Sequence, residues 1–76
     1  MENNLEKSTV KWFNDKKGYG FIHGTEKTSG KDIFVHYMEV EDGALREGDV
    51  VEFKLRKGDR GMQATDVRIS KIYISP

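Results

Sequence analysis

The apolar residues of this chain recur at every second position in short runs, and glycine or a polar turn interrupts each run. That alternation marks half-buried β-strands, because successive side chains of a strand point to opposite faces. "STVKWFN" is the first such run, rich in β-branched and aromatic residues. "DKKG" follows as a turn, opened by Asp15, with Gly18 free to take a positive φ. "YGFIHG" reads as a second strand, "TEKTSGKD" as a polar loop and "IFVHY" as a third strand. "MEVEDGALREGD" is an acidic connection broken by Gly43 and Gly48. In "VVEFKLRK" Val51, Phe53 and Leu55 share one face and Glu52, Lys54 and Arg56 the other. "GDRG" is a turn, and "MQATDVRISKIYI" gives a fifth strand with alternation at Val67 and Ile69, continuing to Ile72 and Ile74. No segment keeps a helical period for three turns.

A chain of 76 residues builds one domain. Five short strands within that length predict an all-β fold, a small barrel or sandwich. Closure removes the exposed edges of a lone sheet, so a five-stranded, partly open barrel of the OB type fits. Val10, Ile22, Ile33, Val35, Val51, Phe53 and Val67 suffice as its core.

Several function classes drop out early. There is no cysteine, so disulfides and thiolate metal sites are excluded. His23 and His36 lack the partners of a metal site, and no nucleophile–base set is readable, so neither a metal, a cofactor, a small-molecule substrate nor an enzyme is expected. "MENNLEKSTV" shows no targeting pattern, and no run approaches a membrane span; the expectation is a cytoplasmic protein that meets no membrane.

The formal net charge is zero, which argues against a nucleic-acid partner. The sum conceals an asymmetry. Between Glu39 and Glu52 lie six acidic residues against Arg46 alone, whereas Phe53 to Pro76 holds six bases against Asp59 and Asp66. A neutral chain of this kind still has room for a positive face. The acidic stretch reads as solvated surface, one that repels nucleic acid from the wrong side.

Six of the eight aromatic residues fall between positions 12 and 37. Period two puts Tyr19 and Phe21 on one face of their strand, with Gly20 and Ile22 opposite. It joins Phe34 to His36, with Ile33 and Val35 opposite. If the aliphatic faces are core, the rings face solvent, and a contiguous exposed patch calls for a partner. Unpaired bases stack on such rings, and Lys11, Lys16 and Lys17 stand beside them for phosphates. A duplex hides its base faces, so the patch points to single strands. Gly18 and Gly20 are expected to keep the backbone low under the bases. The competing reading is a protein-interaction module that uses the same aromatic face. Parity leaves the first strand open: Val10, Trp12 and Asn14 share a face, so Trp12 is exposed only if the strand bulges.

"VKWFNDKKGYGFI" followed by "DIFVHY" resembles the bacterial cold-shock proteins, the cold-shock domain subgroup of the OB-folds. Lys17–Ile22 is similar to their first ribonucleoprotein motif and Ile33–Tyr37 to the second. The resemblance runs from about Ser8 to Val67. It implies one cold-shock domain over residues 1–76, with its core at about 8–69 and short extensions at both ends. The implied fold is a five-stranded antiparallel Greek-key barrel. The implied function is binding of single-stranded RNA and DNA with low sequence specificity, as an RNA chaperone and regulator of transcription and translation. Carried over by position, the binding face comprises Lys11, Trp12, Phe13, Asn14, Lys17, Tyr19, Phe21, Phe34, His36 and Tyr37, with Arg60 and Gln63 from the late loop. The family also places the tryptophan on the surface.

The chain departs from the family pattern in four places. Gly43 and Ala44 stand where a loop aromatic is expected, which removes one stacking subsite. "HGTEKTSGKD" is longer than usual, and its Lys27 and Lys31 are expected to extend the phosphate track. Met62 replaces a proline. "RISKIYISP" runs past the usual end, offering Ile72, Tyr73 and Ile74 to strand five or to a second copy; a monomer is expected, with a homodimer as the alternative.

Overall fold

The computed structural model describes residues 5–59 and 61–70. Five strands form: β1 (Leu5–Asn14), β2 (Tyr19–Ile22), β3 (Ile33–His36), β4 (Val50–Gly58) and β5 (Gly61–Ile69). They close into one barrel in the order β1-β2-β3-β5-β4, with β4 returning to β1. All seams are antiparallel except β3–β5, which meet in parallel at Phe34 and Gln63. β1 serves two neighbours: Leu5–Thr9 pair with β4, and Val10–Asn14 with β2. It starts at Leu5, earlier than the expected core boundary. The expected strand extension through Ile72, Tyr73 and Ile74 lies outside the described residues.

The seven aliphatic and aromatic residues expected in the core are its seven largest fully buried side chains. Burial of each contributes about 1.5–3 kcal/mol. Val40, Leu45 and Ala64 complete the core, and Phe13, Leu55 and Ile69 pack against it. The acidic connection is therefore not wholly solvated surface. Val40 bridges Val67, Leu45 is 3% exposed, and only the residues around them face water.

Two bulges decide which side chains reach that core. Val10 faces Ile22 across the β1–β2 seam, yet Trp12 faces Phe21, so Lys11 is an extra residue on β1. The bulge flips parity: Val10 stays inside, Trp12 turns out and Phe13 turns in. On β5, Arg68 faces Glu52 and Thr65 faces Lys54, so β5 carries the extra residue there. Asp66 takes a positive φ of 50° within it. This lets Ala64 and Val67, three positions apart, both point inward.

The long loop between β2 and β3 is anchored rather than loose. A 3-10 turn at Glu26–Thr28 carries a reciprocal capping box between Thr25 and Thr28. The buried Thr28 hydroxyl accepts from the Thr25 N–H at 3.0 Å and donates to the Lys31 carbonyl at 2.8 Å. A second 3-10 turn, Tyr37–Glu39, follows β3 directly, so Tyr37 leaves the strand in which the sequence placed it.

Candidate nucleic-acid interface

β2 and β3 bury Ile22, Ile33 and Val35 on one face and turn their rings to the other. The register aligns those rings. Trp12 faces Phe21, Phe21 faces Phe34, and Phe34 faces Gln63, forming a row across four strands. A second row joins Asn14, Tyr19 and His36. Ring centroids lie 5.4 Å apart for Trp12–Phe21 and 5.8 Å for both Phe21–Phe34 and Tyr19–Phe34. Trp12 meets Tyr19 edge-on at 5.9 Å. His36 and Tyr37 stack at 4.8 Å. Of the four pairs within and between the rows, two are edge-on and two tilted, and none is stacked face to face, which keeps ring faces available.

Trp12 is 40% exposed and Tyr37 45%. Tyr19, Phe21, Phe34 and His36 are half-buried. Trp12, Tyr19, Phe21 and Phe34 line a groove of about 740 Å³, completed by Asp59, Gly61, Met62 and Gln63 from the β4–β5 hairpin. Its size falls in the usual range of ligand clefts. Met62, at the position where the family usually has proline, thus borders the rings.

Phe13 does not join this face. Past the Lys11 bulge it pairs with Gly20 and packs against the core. Gly20 lies on the same inner side, turned away from the ring face. A Cβ there would sit 2.6 Å from Phe13 Cα and 2.9 Å from its ring, so Gly20 makes room for β1. Gly18 has a positive φ of 76°, and a Cβ on it would meet the Tyr37 ring at 2.9 Å. The two glycines therefore shape the barrel and the Tyr37 seat, while the rings owe their exposure to parity.

The polar residues divide between turns and surface. Asn14 opens the β1–β2 turn in place of Asp15: its carbonyl accepts from the Gly18 N–H at 2.7 Å and its Oδ1 from the Lys17 N–H at 2.9 Å. Lys17 is exposed on that turn. His36 Nδ1 accepts from the Met38 N–H at 3.2 Å, which fixes the imidazole beside Tyr37. Lys11 projects from the bulge to Asp32, at 2.8 Å, so its charge already has a partner. Lys27 pairs with Glu6 at 2.9 Å, at the far part of β1 from Trp12, and does not extend the ring surface. Gln63 continues the aromatic row and folds its amide over Gly58, where a Cβ would lie 2.5 Å away. Arg60 lies outside the described residues. At Gly43 and Ala44 the chain makes an exposed turn with no ring.

The fold and this face together define a small OB-type barrel with an uncovered aromatic sheet. The model of the "Cold-shock" DNA-binding domain family matches residues 6–70. Cold shock protein CapA of Pseudomonas fragi is 52% identical over 62 residues, covering 78% of this chain and 94% of that protein. Cold shock protein CspC of Bacillus subtilis is 46% identical over 67 residues, covering 84% of this chain and 97% of the relative. Among solved structures, the one titled "drosophila Unr CSD456" superposes with a TM-score of 0.65 at 21% identity, over 87% of this chain and 26% of that longer one. The chain belongs to the cold-shock domain family, a family of nucleic-acid-binding modules rather than enzymes.

Proposed function

We propose that this protein binds single-stranded RNA and DNA with low sequence specificity, through the aromatic face of β1–β3. The observation that carries the reading is the register-aligned set Trp12, Tyr19, Phe21, Phe34 and His36, held outward while the opposite faces fill the core. Every base has a π-face, so such a set accepts bases without reading their edges. The relatives' family description, a DNA-binding domain, supports the same partner class.

Stacking contributes roughly 1–3 kcal/mol per base, so four or five bases gain near ~10 kcal/mol before the cost of ordering the strand. What remains suits micromolar binding. A protein of that affinity traps strands that open spontaneously and leaves long helices shut, because each DNA base step contributes about 1.4 kcal/mol. This fits an RNA chaperone that modulates transcription and translation in the cytoplasm.

Trp12 supplies the test. An oligothymidine of about seven nucleotides is titrated while Trp12 fluorescence is followed, with duplex of the same length as control. Quenching by the single strand alone is expected. Phe21→Ala and Phe34→Ala should each weaken binding by about 1–3 kcal/mol and keep the folded far-UV spectrum. Absence of quenching at high micromolar single strand refutes the reading.

A further inference from the structure

The aromatic row does not stop at Gln63. Across the β4–β5 seam Gln63 faces Arg56, so one register line crosses all five strands: Trp12, Phe21, Phe34, Gln63, Arg56. The outward residues of β4 are Glu52, Lys54 and Arg56, and they meet different neighbours. Glu52 faces Arg68 and is bonded by its Nε at 3.2 Å, with Lys7 on its other side at 3.9 Å. Lys54 faces Thr65 and pairs with Asp66 at 3.7 Å. Arg56 faces the neutral Gln63, is exposed, and among the described residues is in no ion pair. Cross-strand ion pairs thus neutralise Glu52 and Lys54, whereas Arg56, at the rung aligned with the rings, is in no ion pair among the described residues, and neither is Lys57 at the hairpin end, which faces Met62.

We propose that Arg56 is a phosphate-binding residue that carries the nucleic-acid track from the rings of β1–β3 across β5 onto β4. The proposal rests on the aromatic face binding single strands. Adjacent strands are about 4.8 Å apart, so Arg56 starts roughly 10 Å from Phe34 along the row. That separation suits the sugar–phosphate linkage next to a nucleotide stacked on Phe34. A guanidinium offers a planar fork of donors that matches phosphate oxygens, and it is less strongly hydrated than an ammonium. The binding face then spans the whole sheet, and a protein of zero net charge still presents a free cation where the strand leaves the rings.

The test compares wild type with Arg56→Ala, Arg56→Lys and Lys54→Ala on an oligothymidine of about ten nucleotides, read by Trp12 quenching across a salt series. Arg56→Ala should bind about five-fold more weakly at low salt, and the slope of log K against log salt should fall by about 0.7, the value for one phosphate on a single strand. Arg56→Lys should keep the slope. Lys54→Ala, whose charge Asp66 already engages, should leave it within error of wild type. A urea midpoint equal to wild type shows that each variant is folded. An Arg56→Ala slope equal to wild type overturns the assignment of Arg56 while leaving the ring face intact; failure of the wild-type protein to bind overturns both.

Discussion

Substituting Gly20 by alanine should cost this protein a large share of its stability rather than merely disturb its ligand surface. The added Cβ would lie 2.2 Å from the Trp12 carbonyl oxygen, 2.6 Å from Phe13 Cα and 2.9 Å from Phe13 Cδ1. Ordinary carbon contacts begin near ~3.5 Å, so β1 must retreat by about 1 Å at the position paired with Gly20. Two of the three obstructing atoms are backbone, and no rotamer change relieves them. Overpacking a well-filled site costs about 1–3 kcal/mol, and a clash with backbone belongs at the upper end, near ~3 kcal/mol. Domains carry roughly 0.05–0.15 kcal/mol of stability per residue, which bounds this chain near ~4–11 kcal/mol. The loss would lower Tm by about 12–24 °C, at ~4–8 °C per kcal/mol for a domain of this size. Urea unfolding followed by Trp12 fluorescence and far-UV circular dichroism measures it, with an unchanged m-value showing a true stability change. A reading in which Gly20 only keeps the surface clear for bases expects a stable Gly20→Ala protein that fails to bind. Stability within about 0.5 kcal/mol of wild type would refute the packing account and restore that one.

Three further outcomes follow from local geometry. Asp66→Val should destabilise by about 1–2 kcal/mol, because a β-branched residue fits poorly at the positive φ of the β5 bulge; an unchanged thermal midpoint would contradict the bulge. Thr28→Val should cost about 1–3 kcal/mol by leaving the Thr25 N–H and Lys31 carbonyl without their buried partner, while ring-face binding at low temperature stays at the wild-type level. The Lys11–Asp32 pair is close, but its side chains are 45% and 37% exposed. A double-mutant cycle with Lys11→Ala and Asp32→Ala should therefore show a coupling below about 1 kcal/mol that fades with salt; a coupling that persists at high salt would place the pair in a drier setting than the structure gives it.

The charge distribution explains how a neutral chain fits this family's surface. Lys7, Lys11, Lys27, Lys54 and Arg68 each lie within ion-pair distance of a carboxylate. Lys16, Lys17, Lys31, Arg46, Arg56 and Lys57 are exposed and in no ion pair among the described residues. Positive charge is thus confined to particular rungs and turns, so the proposed nucleic-acid binding should show a shallow salt dependence.

Alternation alone sorted Ile22, Ile33 and Val35 onto one face and Tyr19, Phe21, Phe34 and His36 onto the other, because period two is a local property of any extended chain; the closed barrel decided that the aliphatic face is the buried one. The seven-residue core was legible for the same reason, as was the position of each turn that glycine marks. Trp12 and Phe13 were not legible from parity, and the family pattern supplied only the answer for Trp12. The exchange of their faces depends on an extra residue at Lys11, and a bulge is a relation between two strands that neither sequence segment records. The same holds for Ala64 and Val67 around Asp66. Val40 and Leu45 were hidden within an acidic stretch whose composition spoke for solvent, and they are buried because the connection must cross the core to join β3 to β4. Gly20 shows the difference most sharply. Its place beside the aromatics suggested a service to the ligand; the β1–β2 register set by the Lys11 bulge is what brought Phe13 against it, since contact across a seam is set by register and not by sequence neighbours.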